Sequence, residues 1–162
     1  MSTYPMPEPE TVGTVMGDLI GKDVSVAEGE PFPLDPKNAP FSIVLFRDDN
    51  GYPGAVMICD LASCVYSGAA LTLMRSEEAQ MCVKKKELDD AMYENFKEVV
   101  NIVGGTLFNS ASSPHLVLRE IWYCPTTLGK DLQKLFTEPS ERLDIKISVE
   151  DYGDGKLTLL VV

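Results

Sequence analysis

Residues 54–74 read Gly54-Ala-Val-Met-Ile-Cys-Asp-Leu-Ala-Ser-Cys-Val-Tyr-Ser-Gly-Ala-Ala-Leu-Thr-Leu-Met74, two apolar runs joined by a single aspartate. The first run, Gly54 to Cys59, has the length and the Val/Ile content of a strand. Asp60 stands where a helix needs its N-cap. The stretch from there to Met74 is apolar nearly all round, which assigns it to a helix in the middle of a fold. Its charge-free part, Leu61 to Met74, is 14 residues long, short of the ~20 that a membrane-spanning helix needs. Upstream, Phe41 to Arg47 is another strand-like run, and Asn50-Gly51 between the two signals a hairpin whose loop Pro53 lengthens beyond two residues.

Further out, Val12, Val15, Met16, Leu19 and Ile20 recur at three- and four-residue intervals ahead of Gly21, the pattern of an amphipathic helix with a glycine C-cap. Asp23 to Ala27 reads as a strand, followed by a proline-bearing connection from Glu30 to Pro40. A long helix is expected from about Glu87 to Phe108. Strands follow over His115 to Cys124, Leu143 to Asp151 and Lys156 to Val162, with a helical turn within Leu128 to Phe136 and a hairpin turn at Gly153-Asp154-Gly155. The sum is an α+β domain with helices and antiparallel sheet segregated. Residues 10–162 form one domain, and residues 1–9, with Pro5, Pro7 and Pro9, form a flexible acidic N-terminus.

Composition narrows the class. A chain of 162 residues buries roughly 70% of its unfolded surface without needing a disulfide or metal staple. Its formal net charge of -11 leaves no positive field to gather phosphates, which argues against nucleic acid or an anionic membrane as partner. Cys59, Cys64, Cys82 and Cys124 show no CxxC spacing and read as reduced thiols of a cytoplasmic protein. Neither these scattered cysteines nor the sole histidine, His115, forms a metal-ligand pattern. Lys84-Lys85-Lys86 reads as a solvated connector, and Gly129-Lys130 lacks the upstream glycine of a phosphate-binding loop.

The helix over 87–108 carries the information about function. At 100° per residue, Met92, Phe96, Val99, Val100, Val103 and Leu107 fall in one apolar arc. The opposite arc holds Glu94, Glu98, Asn101 and Gly105 in a line. Glu98 and Asn101 are three apart, so their side chains are neighbours that can act on one target. Gly105, with Gly104 beside it, leaves a flat patch for the approach of another backbone. A plain solvated helix face would also carry Glu and tolerate Asn, and an isolated E-x-x-N is common by chance.

Taken together, the run from Gly54 to Met74 and the helix bearing Glu98-Val-Val-Asn101-Ile-Val-Gly-Gly-Thr-Leu107 resemble the CheC/CheX/FliY chemotaxis phosphatases. The family motif is Asp or Ser, three residues, Glu, two residues, Asn, and a Pro about 22 residues on. Glu98 and Asn101 match its central pair, and 23 residues separate Asn101 from Pro125. Glu94 stands where the family has Asp or Ser. Thr11 to Ile20 also aligns with Glu98 to Leu107, keeping Gly17 against Gly104 and placing Thr11 and Thr14 where Glu98 and Asn101 stand. The resemblance therefore implies pseudo-duplicated halves, two long central helices packed on an antiparallel sheet, and a single, CheX-like active site.

The activity implied is removal of phosphate from the phospho-aspartate of a CheY-like response regulator receiver domain in two-component signalling. In that role Asn101 positions the hydrolytic water, its carboxamide donating and accepting hydrogen bonds without titrating near neutrality. Glu98 docks to a receiver lysine, Pro125 shapes the site, and Glu94, Gly104 and Gly105 belong to the partner interface. No cofactor of its own is implied, since the receiver holds the Mg²⁺. The resemblance also implies a homodimer built by joining sheets. The alternative it leaves open is a non-catalytic interaction or adaptor module, like the middle domain of the flagellar switch protein FliM.

Overall fold

The computed structural model describes residues 4–34, 36–38, 40–110, 112–123, 130–139 and 141–162. Its first half runs through helix α1 (Pro9–Ile20), strands β1 (Val24–Glu28), β2 (Phe41–Arg47) and β3 (Pro53–Asp60), and helix α2 (Leu61–Leu71). After α3 (Ser76–Lys85), the second half continues with α4 (Asp90–Leu107), β4 (Val117–Tyr123), α5 (Lys130–Thr137), β5 (Glu141–Val149) and β6 (Gly153–Val161). The six strands form one sheet in the order β1-β5-β6-β3-β2-β4, and every neighbouring pair is antiparallel.

That order displays the duplication. With the halves written α1-β1-β2-β3 and α4-β4-β5-β6, the sheet reads first strand, hairpin of the other half, hairpin of the first half, and first strand of the second. Each half therefore lends its opening strand to the far edge of its counterpart's hairpin. β1 lies beside β5 with Val26 opposite Ile147, β4 lies beside β2 with Ile43 opposite Trp122, and β3 and β6 meet at the centre with Met57 opposite Leu159.

The strands of β2 and β3 are buried along almost their whole length, because apolar layers cover both faces of the sheet. On one face α1, α2 and α4 enclose a core that includes Val44, Phe46, Met57, Phe96, Val100 and Leu159. On the other, Ile43, Leu45, Val56, Ile58 and Leu160 pack with Phe32 and Phe41, and Leu135 and Phe136 of α5 lie against them. α2 is central as expected: Asp60 accepts a hydrogen bond from the Ser63 amide at 2.8 Å, and the helix is buried on nearly all sides. Its internal hydroxyls are both paired, Ser63 donating across to the Lys156 carbonyl of β6 at 2.8 Å and Ser67 to the Ser63 carbonyl at 2.7 Å.

The structure departs from the sequence reading at identifiable points. α4 is long, at 18 residues, but α2 has only 11 and stops at Leu71, because the chain enters a left-handed conformation at Leu73 (φ +57°). The Lys84-Lys85-Lys86 segment is the end of a helix, α3, whose acidic first turn and basic last turn both suit the helix dipole. The last hairpin turns three residues earlier than expected, through Glu150, Asp151 and Tyr152, since Gly153 already pairs with Val149. Tyr4 is buried, and α1 begins at Pro9. Cys59 and Cys64 are free and buried, and Cys82 is free and partly buried. Cys124 and Pro125 lie outside the described residues. No described helix is long and apolar enough to cross a membrane.

Burial pushes the Asp60 carboxyl above its ordinary pKa, against the lowering effect of the Ser63 hydrogen bonds. The folded form therefore binds the Asp60 proton more tightly than the unfolded chain, and Asp60's contribution to stability falls as pH rises through that range. Asparagine keeps the cap acceptor without the charge. Asp60→Asn is thus expected to gain stability relative to wild type as pH rises above about 4, measured by urea unfolding, whereas Asp60→Ala loses about 1 kcal/mol of capping.

Candidate functional site on the outer face of α4

Asp89 starts α4 by accepting a hydrogen bond from the Met92 amide at 2.8 Å. The projected apolar arc is the buried one: Met92, Phe96, Val99, Val100, Val103 and Leu107 all face the core. Glu94, Glu98 and Asn101 are exposed on the opposite side, with Ile102 beside Asn101 also 40% exposed. Glu98 and Asn101 make no hydrogen bond or ion pair with any described residue. Their side chains are available to a second molecule, one carboxylate and one carboxamide on adjoining turns.

The two glycines separate. A Cβ on Gly104 would lie 2.0 Å from Cζ of Phe46, so this residue is the point at which α4 presses on β2. Gly104 is buried and takes no part in an outer patch, which corrects its assignment to the interface. A Cβ on Gly105 would meet nothing within 4 Å, and its space opens to solvent. Asn109 fixes this end of the helix, donating to the Gly105 carbonyl at 2.8 Å while its own carbonyl accepts from the Leu116 amide at 2.7 Å.

The flanks of the face come from long-range contacts that no local pattern announces. On the β4 side, the rings of Tyr93 and Tyr123 pack with centroids 5.8 Å apart. Lys97 sits 5.6 Å from the Tyr93 ring centroid and pairs with Glu94 at 3.4 Å. The extra carboxylate of Glu94, which departs from the family motif, therefore has a cation next to it. On the α2 side, the Asn95 amide donates to the Thr72 hydroxyl at 3.5 Å.

In the pseudo-equivalent helix, Thr11 and Thr14 are exposed, and Thr14 bonds back to the Glu10 carbonyl at 3.0 Å. The groove beside it, of about 600 Å³ between α1 and β1, carries Glu10, Asp18 and Asp23 with Lys22 and has no E-x-x-N pair. Among the described residues no cluster of three His, Cys, Asp or Glu is arranged to hold a metal ion.

No protein-family model matches the sequence, and no curated protein matches it significantly. Solved structures do match the fold. FliY of Thermotoga maritima superposes with a TM-score of 0.60 at 14% identity, covering 96% of this chain and 84% of that one. The FliM middle domain of H. pylori gives 0.60 at 6% identity over 94% and 84%. The chemotaxis protein CheX of Vibrio vulnificus gives 0.51 at 9% identity over 93% of each chain.

The contrast between the glycines is measurable in urea unfolding. Gly104→Ala is expected to lose about 2 kcal/mol through the clash with Phe46. Gly105→Ala is expected to gain about 1 kcal/mol, since alanine is the better helix former and has room.

Proposed function

We propose that this chain, which has the fold of the CheC/CheX/FliY family, is a phosphatase for the phospho-aspartate of a CheY-like receiver domain. The observation that carries this reading is the pairing on α4 of Glu98 and Asn101, side by side, exposed and unpartnered. An outer helix face on a rigid scaffold suits a substrate that is itself a protein, because it must reach into the other molecule's site.

Hydrolysis of an acyl phosphate breaks the bond between phosphorus and the carboxylate oxygen and forms one between phosphorus and a water oxygen. The aspartate leaves as carboxylate, and both protons of the water go with the inorganic phosphate, one of them exchanging with solvent near neutral pH. The receiver supplies Mg²⁺ to neutralise the phosphoryl oxygens. What the helper adds is position. Asn101 orients the water in line with the scissile bond. Glu98 pairs with a receiver lysine and sets the docking register. Glu94, held to Lys97, borders this contact, and Gly105 admits the partner's backbone. In this reading Pro125 shapes the site and the protein works in the cytoplasm, where receivers are phosphorylated. A dimer joined through a sheet edge belongs to the same reading, as β1 and β4 are the outermost strands.

A second reading is an adaptor that binds a partner without turnover, supported by the likeness to the FliM middle domain. One experiment separates the two. Phosphate loss from a panel of phosphorylated receivers of the same organism is followed with and without this protein. For a phosphatase, Asn101→Ala lowers kcat by about 100-fold, Glu98→Ala acts mainly by raising KM, and both variants keep the wild-type circular dichroism. Acceleration of no receiver in a complete panel leaves the adaptor.

A further inference from the structure

The net charge of -11 hides a local exception. Between the loop ahead of β2, the start of α2 and the end of α3 lies a groove of about 350 Å³ whose lining includes Lys37, Lys86 and Lys156. Asp60 is the one carboxylate among its lining residues. The groove between α1 and β1 has the opposite balance, four carboxylates to one lysine, as an acidic chain leads one to expect. Salt screens exposed charges beyond about 8 Å, so a ligand in the basic groove responds to these lysines far more than to the total charge.

Two of the three lysines do little for the fold. Lys156 lies directly opposite Lys146 across β5 and β6, where like charges repel. Asp154 compensates Lys146 at 3.0 Å, whereas Lys156 forms no ion pair with any described residue. Lys86 occupies the left-handed region at φ +57°, the C-cap conformation that usually belongs to glycine. Lys84 and Lys85 already give the end of α3 the cations that its dipole favours, and the Lys86 ammonium forms no ion pair with any described residue. Lys37 is carried on a single 3₁₀ turn, Pro36–Asn38, which the Asn38 amide ties to the Pro33 carbonyl at 3.2 Å. That wall is anchored by Phe32, buried edge-on against Phe41 with ring centroids 5.5 Å apart. The Asp60 carboxylate is engaged by the Ser63 amide at 2.8 Å and by the Lys156 backbone. Leu61 and Ala62 also line the groove, adding the positive end of the α2 dipole.

We infer that this groove is a binding site for a small diphosphate-bearing molecule, whose phosphoryl oxygens are held by Lys37, Lys86 and Lys156. Two linked phosphates carry about three negative charges near neutral pH, and three cations from three separate elements meet them. Lysine suits the task because it binds phosphate as a point charge and needs no shared plane. Pro40 and Val83 give the groove an apolar border, so inorganic pyrophosphate and an organic diphosphate such as a nucleoside diphosphate share the chemistry that fits. None of the lining residues belongs to the Glu98–Asn101 face of α4, and the inference is independent of the phosphatase reading.

The test is calorimetric titration of the full-length protein with pyrophosphate, with ADP and with adenosine, at low and at physiological salt and without added divalent cation. Both diphosphates are expected to bind with Kd below about 1 mM at physiological salt, and adenosine is expected not to bind. Lys86→Ala and Lys156→Ala are each expected to raise Kd about 10-fold, with the wild-type circular dichroism retained. Lys84→Ala, which removes a lysine of α3 outside the groove, is expected to leave Kd within about twofold. Tighter binding of ADP supports the inference with an organic diphosphate as ligand, and equal or tighter binding of pyrophosphate supports it with the free ion. Lack of binding of either diphosphate below 10 mM (~3 kcal/mol) overturns it. So does a Lys84→Ala effect equal to that of Lys86→Ala, which would make the attraction a diffuse one, and so does adenosine binding as tight as that of ADP.

Discussion

The contact between Gly104 and the ring of Phe46 sets the rotation of α4, and most of what is distinctive about the molecule depends on that rotation. Phe46 is fully buried and also packs against Phe108, with ring centroids 5.3 Å apart. The aromatic ring fills the space that a side chain at position 104 would need. Because the helix can approach the sheet closely along this line only, Val100, Val103 and Leu107 turn inward with it and positions 94, 98 and 101 turn outward. A rotation of one residue, 100°, would bring Glu98 toward the sheet and leave its carboxylate without water. The polar pair is therefore placed by steric necessity on the opposite side of the same helix.

The exchange of opening strands makes the two halves interdependent. β1 completes the hairpin of the second half and β4 that of the first, so neither half has a sheet of its own. This arrangement brings α1 and α4 together over one sheet and gives the fold two pseudo-equivalent outer helix faces. Only one carries a carboxylate and a carboxamide in the E-x-x-N spacing. On α1 a hydroxyl that bonds to its own helix carbonyl stands in the place of the asparagine. Threonine used in this way offers a partner little that a water molecule does not.

Much of this was legible in the sequence, for physical reasons that differ by element. Phe41–Arg47 matched β2, because a short segment whose only polar members are Ser42 and Arg47, followed closely by an Asn-Gly turn signal, has few other interpretations. Asp60 and the apolar helix after it were legible because the cap and the run reinforce one another. The arc on α4 was legible because it is long enough for its period to be unambiguous. α3 was hidden because Ala79 alone is fully buried there and charges dominate its composition. The hairpin turn moved because Asp151 takes the left-handed conformation, leaving the glycines at 153 and 155 to begin a strand. The projection set Gly105 on the outer arc, but that Gly104 beside it is a packed glycine depends on Phe46, 58 residues away in the chain. The aromatic flank of Tyr93 and Tyr123 was invisible for the same reason.

The distribution of satisfied and unsatisfied groups separates structure from function in this molecule. Among the described residues every buried side-chain nitrogen and oxygen has a hydrogen-bond partner, so the interior holds no open polar valence. The Tyr152 hydroxyl reaches the Met74 carbonyl, Gln80 donates to the Tyr152 carbonyl at 2.8 Å, and Thr158 bonds to Asp144 at 2.6 Å. Against that background, Glu98 and Asn101 stand out on α4: a carboxylate and a carboxamide, exposed and three residues apart, whose side chains have no partner among the described residues. Gly105, one turn further on, leaves the helix surface open beside them. Polar groups that the fold does not use, on a face that packing holds outward, are what a second molecule can use.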